Sequence, residues 1–184
     1  RTQWEDFARQ EVSVESGRFK GEENMKKYSV NHFLSLLTRS FIVMRERLND
    51  EGSLVTYYAH ISPEAWIALL EAGWRGGKFR VTNAFPVATE SLQRVTARGK
   101  YALDTSIIVA WRKGSSGSSS VEELYDKALN EARGTALELI KADRMGSDLF
   151  VGTMASILSL LTRYEKLYSP LGVLEVNSLV TEYV

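Results

Sequence analysis

Apolar residues at Val30, Phe33, Leu34, Leu37, Phe41, Met44 and Leu48 recur at helical spacing, with Arg39, Arg45 and Glu46 between them. That pattern predicts an amphipathic helix over residues 29–48, stopped by Asn49, Asp50, Glu51 and Gly52. The next run, SLVTYYA at residues 53–59, is dense in β-branched and aromatic side chains and short enough to be a buried strand. Ser62, Pro63 and Glu64 then supply an N-cap, a first helical residue and an acid at the positive helix end. A second helix is expected to reach residue 72, where GWRGGKF breaks it. FRVTNAFPVAT predicts a second strand over residues 79–87 with Pro86 near its end, and DTSIIVAWR a third over residues 104–112.

Helix, strand, helix, strand, strand is an α/β order whose last two strands are expected to be antiparallel neighbours. Around this unit, residues 28–113, the pattern changes. Residues 1–27 are rich in charge and glycine and read as a loop-rich lead-in with a short helix over residues 4–10. The tract GSSGSSS, residues 114–120, has the composition of a flexible linker. Beyond it, VEELYDKALNEARGTALELIKA, DLFVGTMASILSLLTRYEKLY and VLEVNSLVTEYV predict three helices, a helical appendage over residues 121–184.

A chain of 184 residues with 44% hydrophobic content can bury a core of its own. Its 23 Lys+Arg balance 23 Asp+Glu, so no global field draws it to nucleic acid or membrane, and a DNA contact needs a local basic patch. Cysteine is absent, which excludes disulfides, thiolate metal sites and cysteine nucleophiles. With His32 and His60 the only histidines, no metal site is expected. Apolar runs such as SLLTRSFIVM are interrupted well short of the roughly 20 residues of a membrane span, and a soluble, cytoplasmic protein is expected. RTQWEDFARQE opens in mid-pattern without methionine, so a fragment is expected.

GxGxxG, P-loop, HExxH and GxSxG motifs are all lacking, and Pro63, Pro86 and Pro170 are isolated, so there is no Asp-Pro-Pro-Tyr-like box. The candidates for chemistry are single residues. His60 closes the first strand, where open α/β sheets hold ligands and where a histidine can also serve merely as a turn residue. Thr89 and Glu90 follow the Pro86 strand into a loop. Arg94, Arg98 and Lys100 form a short basic segment suited to phosphates, or an ordinary charged surface. Trp66, Trp74 and Trp111 can stack on bases but fit a core better.

The run from Met44 to Lys113 resembles the C-terminal half of the catalytic domain in adenine-specific DNA methylases of the large zinc-ribbon-associated type. In that family a helix ends in an LKPDG-like turn and a strand ends in an FAHK-like box before a helix containing EAW. A WPV.TE box, an arginine-rich loop and an SSI strand closed by R.R come next. The matching residues are Asn49 to Gly52, then Tyr58, Ala59 and His60, then Glu64 to Trp66. After them come Phe85 to Val87 with Thr89 and Glu90, and Thr105 to Ile107 with Arg112 and Lys113. Phe85 stands where the family has tryptophan, and Thr105 where it has the first serine of SSI. The segment GSDLFVGTMASILSLLTRYEKLYSP also resembles the helical region located C-terminal to the catalytic domain in those proteins.

The resemblance implies the C-terminal half of a Rossmann-like methyltransferase sheet, three strands with the last two antiparallel. It implies S-adenosylmethionine as methyl donor in the parent enzyme and the exocyclic amino group of a flipped-out adenine as acceptor, in a restriction-modification setting. The glycine-rich cofactor loop and the Asp-Pro-Pro-Tyr box sit on earlier strands of such enzymes, so the expected partners are DNA and the remaining N-terminal methyltransferase half. No cofactor is expected to bind this chain alone. His60, Thr89 and Glu90 would wall the substrate pocket, and Arg94, Arg98 and Lys100 would contact DNA. Two alternatives stand beside this: a non-catalytic interaction or DNA-binding module of a defence system, and half of an RNA or small-molecule methyltransferase. The DNA reading predicts that replacing Arg94, Arg98 and Lys100 with alanine in the intact enzyme weakens binding to cognate and scrambled duplexes alike. The salt slope should fall by about 0.9 for each phosphate that is no longer neutralised; unchanged affinity and slope across several salt concentrations would make the segment a solvated surface.

Overall fold

The computed structural model of the chain describes residues 7, 10–13, 24–58, 63–88 and 105–183. Its elements are α1 (Met25–Arg47), β1 (Ser53–Tyr58), α2 (Pro63–Leu70) running into a π-helical segment (Glu71–Gly76), β2 (Phe79–Ala88) and β3 (Thr105–Lys113). They continue with β4 (Ser118–Ser120), α3 (Val121–Lys141), α4 (Ser147–Leu161), β5 (Lys166–Ser169), β6 (Gly172–Val173) and α5 (Val176–Tyr183). The class is mixed α/β, as the alternation of periodicities predicts.

The three predicted strands form one sheet in the order β1-β3-β2, and β3 is antiparallel to both neighbours. β1 and β2 are therefore parallel to each other, with α2 crossing between them. Side-chain alternation gives the sheet two unlike faces. Trp111, Val109 and Ile107 of β3, with Phe79, Val81 and Ala84 of β2, point to one face and are all buried. Leu54 and Tyr58 of β1 pack on the same core. α1 lies on this face: the Phe41 ring meets Trp111 edge-on at 5.4 Å and Phe79 at 6.0 Å. Phe33, Leu34, Leu37, Met44 and Leu48 continue the predicted stripe inward, but Val30 is exposed and Ser29, one position away, is buried in its place. The helix also begins four residues earlier than its apolar pattern, after Asn24 in the left-handed region (φ 58°).

The expected break after residue 72 is a continuation instead. The chain keeps winding through Glu71–Gly76 in a wider π turn. A Cβ on Gly73 would sit 2.9 Å from the Trp111 ring and 3.0 Å from that of Phe41, so this glycine permits close packing of two aromatic rings rather than ending a helix.

The Gly/Ser tract expected as a flexible linker is also structured over its described length. Ser118–Ser120 pairs in parallel with Lys166–Ser169. Ser116 N–H donates to Arg163 O at 2.9 Å, Glu165 N–H donates to Gly117 O at 3.0 Å, and the Ser120 hydroxyl caps α3 by accepting from Glu122 N–H. Gly114 (φ 113°) and Gly117 (φ 68°) supply left-handed turns. Composition alone misreads this segment because its partners lie almost fifty residues later. The same pairing ends the predicted helix early: Thr162 caps α4, and the chain beyond it forms β5, which folds back as β6 around Pro170 and Leu171.

The C-terminal region is helical with a small sheet, and its core is continuous with that of the N-terminal unit. Val121, Leu124, Val151, Met154, Leu158, Leu161, Leu167, Val176 and Leu179 belong to one buried cluster with Trp66, Trp74 and Trp111. α4 lies along β2, where the sheet would otherwise end in a free edge. There Val81 N–H donates to Thr162 Oγ1 at 2.9 Å, and Thr162 donates to Leu158 O at 2.7 Å. Thr162→Val keeps the volume but leaves the buried Val81 N–H without its acceptor, so it should cost about 1–3 kcal/mol. Urea unfolding measures this, and an unchanged midpoint would mean that the edge is satisfied in another way.

Candidate functional site

The carboxyl ends of β1 (Tyr58) and β2 (Ala88) and the amino end of β3 (Thr105) lie together at one end of the sheet, as the pairings Tyr58↔Ile107, Pro86↔Ile107 and Ala88↔Thr105 show. Ligands of open α/β sheets sit beyond this kind of end. His60, Thr89, Glu90, Arg94, Arg98 and Lys100, the six residues expected to carry function, lie outside the described residues. The flanking strand ends are described. Burial raises the Tyr58 phenol above its ordinary pKa, Ser106 is buried, and Phe85, half exposed, stands on the outer face. The three tryptophans expected in the core are buried: Trp66 and Trp111 at 0% exposure and Trp74 at 1%.

A groove that sequence reasoning did not find runs along β2 between α3 and α4. It consists of two adjoining hollows of about 500 and 550 Å³ that share Asn83, Thr135, Glu138 and Gly152. Two features open it. A β-bulge between Val81 and Asn83 places an extra residue in β2, and small residues, Gly134, Gly152 and Ala155, thin the helix faces opposite. Only the unusual density of small residues at 152–156 hints at it in sequence. Glu131, Glu138 and Asp148 contribute carboxylates, and Arg144 faces Asp148 at 3.4 Å. The lining has no histidine, cysteine or lysine. It can accept hydrogen bonds from a polar ligand but does not present a nucleophile with an adjacent imidazole base. No group of three or more His, Cys, Asp or Glu side chains suited to a metal occurs among the described residues, and no described helix is long and apolar enough to cross a membrane.

A constellation of charged groups around the π segment is structural. Arg75, in the π segment, stacks its guanidinium 3.9 Å over the Trp74 ring and donates to Glu165 O at 2.5 Å and Leu174 O at 2.8 Å. Trp74 Nε1–H donates to Tyr164 O at 2.8 Å. Burial lowers the Arg75 pKa against the opposing pull of Glu71, Glu175 and Glu165; burial raises that of Glu71 although Arg75 lowers it. Lys78 meets Glu165 at 2.6 Å and holds that carboxyl below its ordinary value by hydrogen bonding. These groups clamp the π segment to the chain on either side of the β5–β6 hairpin.

Comparison of the chain with family models, with curated proteins and with solved structures gives no match.

Because the clamp binds carbonyl oxygens through a fork of donors, Arg75→Met should cost about 2 kcal/mol. It should speed amide exchange in β5 and β6 more than in β1–β3. Arg75→Lys should restore little, since an ammonium cannot span both carbonyls. Exchange followed by mass spectrometry separates this local loosening from a uniform loss of stability, which would mean that the clamp does not hold the small sheet selectively.

Proposed function

We propose that this chain is the C-terminal part of the catalytic domain of an S-adenosylmethionine-dependent DNA adenine methyltransferase. The observation that carries the reading is the order β1-β3-β2, in which a final strand is inserted antiparallel between two parallel ones. The resemblance implies three final strands with the last two antiparallel, as β2 and β3 are, and this agrees with the boxes that match Tyr58 to His60, Glu64 to Trp66 and Phe85 to Glu90. In this reading the carboxyl ends of β1 and β2 face the flipped adenine. His60, Thr89 and Glu90 form the wall of its pocket, and Arg94, Arg98 and Lys100 meet the DNA backbone.

The residues present do not fit the methyl donor. The sequence has no glycine-rich strand-to-helix loop, and the described strand ends offer Tyr58, Phe85, Pro86 and Val87 rather than an acid for ribose hydroxyls. Cofactor binding and methyl transfer thus fall to the remaining N-terminal half, while this chain shapes and dries one side of the site.

The isolated chain should lack methyltransferase activity and give no saturable heat on titration with S-adenosylmethionine. Micromolar binding, worth about −8 kcal/mol, would place the cofactor on this chain and overturn the division of labour.

A further inference from the structure

Glu131, Gly134, Thr135 and Glu138 fall at the helical spacing that stacks residues along one side of α3, and all of them line the groove between α3, α4 and β2. Gly134 stands out among them. Of the described glycines it alone has neither a positive φ nor an atom within 4 Å of the place its Cβ would take. The others answer to a left-handed turn or to a close neighbour: across the groove, a Cβ on Gly152 would sit 2.7 Å from Leu139 Cδ1. Glycine inside a helix is less favourable than alanine, and no described atom requires it at 134. What the missing side chain leaves is room in the groove.

The acids on either side of that gap are free. Among the described residues, neither the Glu131 nor the Glu138 carboxylate has a hydrogen-bond or ion-pair partner, whereas Arg144 meets Asp148 in the adjoining hollow. The helical rise sets Glu131 and Glu138 about 10 Å apart along α3. One metal ion cannot serve both, since its oxygen ligands converge to roughly 2.0–2.6 Å. Hollows of about 500 and 550 Å³ have the size of small-molecule sites rather than the broad footprint of a protein interface. Between the acids the walls are small and apolar or hydroxylic, with Gly134 and Thr135 facing Gly152, Ala155 and Ser156. The complementary ligand carries cations about 10 Å apart on a thin linear stem; an extended chain advances about 1.2 Å per bond, so roughly nine bonds separate them. A linear polyamine has this form, with methylenes to lie over the glycine and terminal ammoniums to meet the carboxylates.

We infer that the groove along β2 is a binding site for a linear aliphatic polyamine, held at its ends by Glu131 and Glu138 and lying over Gly134, a site that stands whether or not the chain belongs to a methyltransferase.

Calorimetric titration of the 184-residue chain with spermidine, whose terminal nitrogens are about nine bonds apart, should show saturable one-site binding at low salt. Diaminobutane, with about five bonds between its nitrogens, reaches one carboxylate at a time and should bind at least about tenfold more weakly. Glu131→Gln and Glu138→Gln should each weaken spermidine by about tenfold. Gly134→Leu fills the gap and should abolish binding while the thermal midpoint holds or rises, since leucine favours the helix and its Cβ meets no neighbour. Should that variant melt early instead, the two glutamine variants, which keep size and helix preference, decide. The proposal is overturned if spermidine gives no saturable heat, or if diaminobutane binds as well, which would make the attraction a diffuse field of surface charge. It is equally overturned if affinity is unchanged in a folded Gly134→Leu or in either glutamine variant, which would put the polyamine elsewhere on the chain.

Discussion

The fold depends first on the packing of Trp111. The indole sits fully buried at the middle strand of the sheet and touches three elements at once. Phe41 of α1 meets it edge-on at 71°, Gly73 of the π segment gives up a Cβ to it, and its Nε1–H donates to Thr56 Oγ1 of β1 at 2.9 Å. An indole can be buried without penalty only if its N–H finds a partner, and Thr56 provides one from the neighbouring strand at a point where a second apolar residue could not. The first helix, the crossover and two strands are thus fixed by one side chain. The widened π turn is then a packing solution: a tighter helix would carry its backbone past the ring differently.

From that centre, polar staples rather than a linker join the C-terminal region. Thr162 ends α4 and at the same time satisfies the edge of β2, so the helix terminus and the sheet edge solve each other's unmet hydrogen bonds. Arg75 does the same for the carbonyls of Glu165 and Leu174. Both staples use groups that are costly to leave unpaired, which makes the joint specific as well as firm.

Local periodicity explains what could be read from the chain. The stripe from Phe33 to Leu48 and the run SLVTYY each encode their element within a few residues, and Pro63 opens α2 as its fixed φ favours, so the three strands, their common sheet and the antiparallel last pair were legible. The departures are all non-local. Ser118–Ser120 becomes a strand because Lys166–Ser169 lies beside it, and Gly73 winds on in the π segment where it meets the ring of Trp111, nearly forty residues on. The groove along β2 depends on a bulge, which has no signature in sequence beyond the residues it displaces. Of the candidate site, the strand ends that frame it are described, whereas the expectation for His60, Thr89, Glu90, Arg94, Arg98 and Lys100 rests on the sequence alone and falls outside the described residues.

The two ends of the sheet differ in their chemistry. At the Lys113 end, Lys113 pairs with Asp50 at 3.0 Å and Arg112 donates to Glu51 O at 3.0 Å, so the turn from α1 into β1 is tied down by charge. At the other end, the described side chains of Tyr58, Phe85, Pro86, Val87 and Ser106 are apolar or hydroxylic. The charge-assisted contacts that tie the turn thus lie at the opposite end of the sheet from the carboxyl ends of β1 and β2.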